Sequence, residues 1–107
     1  MARLIGAASD ITLILDSDGV ILETAFHSRQ LLDALNDSAR WVGQTFESVV
    51  APDSRVKTAA LMQDAMGHGE PKWRHVNHKA TDGRSIPVLY CGVEIGGRGR
   101  VMAFGRD

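Results

Sequence analysis

The sequence predicts an α+β fold, with an antiparallel sheet carrying short helices on one face. Three observations lead there. Two β-rich runs flank an Asp/Gly turn near the start, and a middle section shifts to helical spacing punctuated by Gly43, Pro52 and Gly67. From residue 71 onward the period returns to two. Strands grouped at both ends with helices between them make a segregated α+β arrangement, here in the order ββ-ααα-βββ with five strands.

The elements follow in order. Residues 1–9 read as a short helical extension, with Leu4, Ile5 and Ala8 on one face, ahead of a single domain over 10–107. Ile11 to Leu15 is a strand closed by Asp16-Ser17-Asp18-Gly19, and Val20 to Phe26 is its hairpin partner. Ser28 has the chemistry of an N-cap for a helix presenting Leu31, Leu32 and Leu35. Gly43 turns the chain, and Phe46, Val49 and Val50 suggest another short helix. Pro52 and Asp53 suit the start of a longer helix. Its expected buried side is Val56, Ala59, Ala60, Met62, Gln63 and Met66, and Gly67 or Gly69 ends it. Alternation over Trp73 to His78, a turn at Thr81 to Arg84, a long strand Ile86 to Ile95, a glycine turn at 96–99 and a strand Arg100 to Arg106 complete the chain.

Composition bounds the function. At 107 residues the chain fits one domain, burying about 65% of the surface of its unfolded form. A net charge of −1 is too low for a general nucleic-acid binder, so no direct nucleic-acid binding is expected. The charge is uneven, with eight acids against three bases in residues 1–53 and five acids against nine bases in 54–107. One cysteine excludes an internal disulfide and a multi-thiolate metal cage. No apolar run has the length of a membrane span, and Asp10 comes too early for a secretory signal. A soluble, cytoplasmic domain without membrane contact is expected.

Four stretches resemble a PAS domain, together covering residues 10–107. LILDSDGVI is similar to the opening hairpin of that family, and WVGQTFESVVAPDSR to its glycine-containing lead into a Pro-Asp helix start. ATDGRSIPV resembles its acidic-Gly hairpin, and FGRD its closing Arg-Asp. ASDITLILDSDGVI and the final GRD are also similar to the N-terminal PAS domain of PpsR/CrtJ-type repressors of photosynthesis genes. The resemblance implies a PAS-like five-stranded sheet and a non-enzymatic sensory, interaction and dimerisation module. It implies placement in a transcriptional regulator or other signalling protein, with homodimer contacts and contacts to other domains of that protein. Where many PAS domains carry an Asn after the second strand, this chain has Ala25-Phe26-His27. The Asn-Cys-Arg segment of flavin photosensors is missing, since Cys91 falls in a late strand.

Several constellations compete with that reading. Asp16-Ser17-Asp18-Gly19 also resembles the first motif of haloacid-dehalogenase-type phosphatases, in which paired aspartates act on phosphate with Mg²⁺. That chemistry needs a later acidic pair and a parallel sheet, so the hairpin turn is preferred. His75 and His78 are three apart on a strand and point to opposite faces, so with His68 and Cys91 they form no metal site and read as solvated or partly covered. No cofactor is expected. Because some PAS sensors ligate haem through a helix histidine, the alternative is haem, with His68 the cofactor-binding candidate. Met62, Met66 and Met102 read as ordinary core.

Self-association is expected through the stripe of Leu4, Ile5 and Ala8, which is too short to be a stable helix alone. Its counterpart is one face of the long strand, carrying Leu89, Cys91, Val93 and Ile95. Ile86, Val88 and Tyr90 occupy the other face, and the pattern leaves open which face looks outward. Cys91 reads as a small buried hydrophobe.

Overall fold

The structure, a computed structural model, describes residues 9–67 and 71–106. Expectations placed on Leu4, Ile5, Ala8, His68, Gly69 and Asp107 lie outside the described residues. Five strands form one antiparallel sheet: β1 (Ile11–Leu15), β2 (Ile21–Phe26), β3 (Arg74–Lys79), β4 (Ser85–Ile95) and β5 (Arg100–Arg106). Their spatial order is β2-β1-β5-β4-β3. The last strand in sequence thus lies between the N-terminal hairpin and the C-terminal one, and joins them. The fold is α+β, with the helices on one face, as the sequence predicts.

Strand parity decides which side chains meet the helices. Ile11, Leu13 and Leu15 of β1 point inward with Val101 and Ala103 of β5, Val88 and Tyr90 of β4, and Val76 of β3. The face left open by pattern is thereby assigned: Val88 and Tyr90 look in, and Leu89, Cys91, Val93 and Ile95 look out.

Asp16 acts as a turn residue. Its Oδ1 accepts hydrogen bonds from the backbone N–H groups of Asp18 and Val20, both at 2.9 Å, which tightens the β1–β2 turn. The strands on either side are antiparallel neighbours, so the sheet order required by the phosphatase reading is not formed here.

The first helix, α1 (Arg29–Ala34), is capped by Ser28, whose Oγ accepts from the Leu31 N–H at 3.2 Å. Leu31 and Leu35 are buried, but Leu32 is exposed: a six-residue helix offers only one narrow face. Three 3-10 turns follow at Ser38–Arg40, Phe46–Val49 and Pro52–Ser54. They close both edges of the sheet. At the β2 edge, Gly43 N–H donates to the Ile21 carbonyl and Ile21 N–H to the Gln44 carbonyl, each at 2.8 Å. Gly43 makes that return possible with a φ of +92°. At the β3 edge, Ala51 N–H donates to the Asn77 carbonyl at 2.7 Å, and Asn77 N–H to Ser54 Oγ at 2.8 Å. Both contacts satisfy edge groups that would otherwise pair with foreign strands.

The second helix, α2 (Arg55–Met66), corrects one expectation. Its buried residues are Thr58, Leu61 and Ala65, whereas Val56 is 81% exposed and Ala59 and Gln63 are exposed. Apolar residues are scattered around this helix, so no stripe marks the packing side; the spacing of Thr58, Leu61 and Ala65 does. Met62 and Met66 only flank the core. Leu61 seats on Gly92 of β4 so closely that a Cβ there would lie 2.7 Å from Leu61 Cδ2. Asp64 and Arg74 pair at 2.7 Å, joining α2 to β3, and the guanidinium holds that carboxyl below its ordinary range. The helix ends at Gly67, whose N–H reaches the Gln63 carbonyl.

Candidate functional site

The interior between sheet and helices holds a polar constellation centred on His78. Inward parity on β3 places His78 beside Val76, and the imidazole is 0% exposed. Its Nδ1 lies 3.2 Å from the Val49 carbonyl oxygen and its Nε2 lies 2.7 Å from the Tyr90 hydroxyl. A carbonyl can only accept, so Nδ1 carries the proton and Nε2 is bare, accepting from Tyr90 O–H. That is one neutral tautomer with both nitrogens satisfied. Burial pushes the imidazole down to about 4, opposed by the Val49 hydrogen bond and the charge of Asp37. Burial also raises the Tyr90 phenol, which therefore keeps the proton it donates.

Aromatic rings fix this pair. Trp41, just after the turn Ser38–Arg40, stacks on His78 with centroids 5.0 Å apart and planes 14° apart. Phe26 tilts against Trp41 at 6.1 Å, and Phe46 meets Tyr90 edge-on at 5.2 Å. Gly105 on β5 makes room, since a Cβ there would approach Val88 Cγ1 to 2.7 Å and Tyr90 Cε1 to 2.9 Å. Among the described residues, no buried side-chain nitrogen or oxygen lacks a partner.

Chemically, this arrangement holds a proton in place between two internal partners. Both nitrogens of His78 are engaged and Trp41 covers its ring, so this histidine offers no free donor to a metal ion; the haem candidate His68 lies outside the described residues. Among the described residues, no three His, Cys, Asp or Glu side chains are grouped to hold a metal ion.

Among the described residues, grooves open to the surface, and two of them border this interior. One, of about 250 Å³, lies between the β1–β2 turn, Phe46, Thr58 and Met62. The other, of about 580 Å³, runs between the 3-10 turns and the β3–β4 hairpin and is lined by Asp37, Arg40, Trp41, Val49, Arg55 and Lys79 among others.

The outer sheet face is a separate surface. Leu89, Cys91, Val93 and Ile95 stand there together, and register sets Phe104 opposite Cys91 and Met102 opposite Val93. Trp73 meets Phe104 edge-on at 5.6 Å, and the Arg106 guanidinium lies 4.6 Å from the Trp73 ring centre. Cys91 is 2% exposed, and burial, with a contribution from Asp64, pushes its thiol up, so it is a poor nucleophile.

Of the residues singled out by sequence, Leu89, Cys91 and Val93 are thus brought together. His75 and His78 do point to opposite faces, but His78 is fully buried and not partly covered. Its parity with Val76 was the available signal. The three methionines separate, Met62 and Met66 lying on the helix side and Met102 on the outer face. Trp41, which sequence reasoning left without a role, completes the constellation. No helix among the described residues is long and apolar enough to cross a membrane.

No protein-family model matches the sequence, and no curated protein is similar to it. Solved structures are similar. A domain of the sensory box sensor histidine kinase/response regulator from Geobacter sulfurreducens matches with TM-score 0.70 at 18% identity, over 99% of this chain and 90% of that one. The PAS domain of a protein from Colwellia psychrerythraea matches with TM-score 0.71 at 14% identity, over 99% and 92%. The PAS domain of the Cronobacter turicensis quorum-sensing receptor RpfR, solved in complex with BDSF, matches with TM-score 0.62 at 16% identity, over 94% of each chain. The five-stranded sheet and its one-sided helical layer are those of the PAS fold.

Proposed function

We propose that this chain is a non-enzymatic sensory and protein-interaction module that works through homodimer contacts within a larger signalling protein. One observation carries the reading: the outer sheet face bears a continuous half-covered apolar row, Leu89, Val93, Ile95, Met102 and Phe104, around a nearly inaccessible Cys91. Monomers rarely leave such a patch to water. A second copy, with the segment containing Leu4, Ile5 and Ala8, is its occupant. The likeness of residues 8–21 to PpsR/CrtJ-type repressors favours a transcriptional regulator as the parent protein, acting in the cytoplasm. The domain itself contacts other protein domains and neither nucleic acid nor membrane. It works without a resident cofactor, its interior being filled by Tyr90, Phe46, His78 and Trp41. The RpfR domain, solved with BDSF, is the precedent for small-molecule sensing on this fold.

Sedimentation equilibrium over a wide concentration range tests the reading. The intact chain forms a dimer, and Val93→Glu or removal of residues 1–9 shifts it toward monomer while far-UV circular dichroism is retained. A chain that stays monomeric throughout defeats the proposal, as does a Val93→Glu chain that dimerises as tightly as the original.

A further inference from the structure

We propose that the groove between the 3-10 turns and the β3–β4 hairpin binds a small organic dianion, bearing either two carboxylates or one phosphate ester. Its volume of about 580 Å³ falls within the ordinary range for small-molecule sites. Three cations converge on it from three elements distant in sequence: Arg40 from a 3-10 turn, Arg55 from the first residue of α2, and Lys79 from the last residue of β3. The one acid among the lining residues is Asp37, so the rim carries an excess of two positive charges.

Among the described residues, no carboxylate lies close enough to pair with these cations. Arg29, Arg74 and Arg84 each pair with an aspartate, whereas the side chains of Arg40, Arg55 and Lys79 make no ion pair among the described residues. The concave shape of the groove concentrates the field of such a rim. Guanidinium groups present paired N–H donors that match carboxylate and phosphate alike. The wall behind them includes Trp41 and Val49, which suits a ligand with a compact apolar body.

That wall also gives the site a consequence. Trp41 stacks on His78, and the Val49 carbonyl accepts the His78 N–H, so an occupant touches both outer ends of the internal network. The network reaches β4 through Tyr90. The proposal supplies the ligand class for the sensory reading and rests on that reading for its biological meaning. Binding and self-association are measured separately, so either can fail alone.

The test is a ¹H–¹⁵N NMR titration with succinate and with phenyl phosphate, using uncharged dimethyl succinate as the control. Saturable shifts are expected at the Trp41 indole N–H and the Arg40 and Arg55 side-chain N–H groups, and the stronger of the two anions identifies the source of the charge. The double substitution Arg40→Gln/Arg55→Gln weakens binding about tenfold or more, whereas Lys57→Gln, on the exposed side of α2, leaves it unchanged. These side chains are exposed, so the variants fold. Equal shifts with the neutral ester would overturn the proposal. So would shifts spread over Arg98 and Arg100, or equal weakening by Lys57→Gln.

Discussion

Acidification should destabilise this domain through the buried His78. His78 titrates near 6.5 when unfolded and at about 4 when folded, because burial disfavours the imidazolium. The unfolded chain therefore takes up the proton first as pH falls. The contribution of His78 is complete above 6.5 and is lost progressively down to about 4. Between pH 7 and pH 5 the loss works out at about 2 kcal/mol, at 1.36 kcal/mol per unit of displacement. Asp64 and Asp82 carry depressed carboxyls, held down chiefly by hydrogen bonds from Arg74 and Arg84, and lose their contribution only below the ordinary carboxylate range. The window from 7 to 5 thus separates His78 from these two carboxyls. Urea unfolding followed by circular dichroism at the two pH values measures the loss. His78→Gln, which keeps a donor and an acceptor but does not titrate, should be less stable at pH 7 and flatter between 7 and 5. A wild-type loss no larger than that of the variant would refute the reasoning, as would an NMR titration of His78 centred near 6.5.

Three further outcomes follow from local geometry. Gly92→Ala drives a Cβ to within 2.7 Å of Leu61 Cδ2 and should cost about 1–3 kcal/mol, much of it recovered in a Leu61→Val background, as a double-mutant cycle in denaturant would reveal. Ser28→Ala removes the cap on the Leu31 N–H and should lower stability by about 1 kcal/mol without altering the near-UV spectrum. Cys91→Ser should fold, associate as before and lose about 1 kcal/mol, while the native thiol reacts with a chromogenic disulfide far more slowly than the unfolded one. A dimer dissolved by reductant would contradict that reading.

The sheet was legible because its signals are local. Asp/Gly and glycine-rich turns mark the strand ends, and β1 and β5 span the residues their patterns predict. The α2 packing face was not, because Val56, Ala59 and Met62 distribute apolar surface around the helix. The deciding contact, Leu61 on Gly92, depends on a glycine 31 positions away in sequence. The site was half visible. Parity alone places Leu89, Cys91 and Val93 on one face, but inside and outside are decided only when β5 inserts beside β1. His78 was misjudged because a histidine on an exposed-looking strand is usually solvated. Only the fold brings it Tyr90 from the neighbouring strand, Val49 from a 3-10 turn, and Trp41 to close its ring face.

Native mass spectrometry of the purified chain tests the central claim most directly, because it reads subunit number and bound small molecules together. The account predicts a dimer at twice the mass of the chain, with no stoichiometric adduct, that becomes monomer on Val93→Glu. A monomer at every concentration, or a chain carrying one haem apiece, would contradict it.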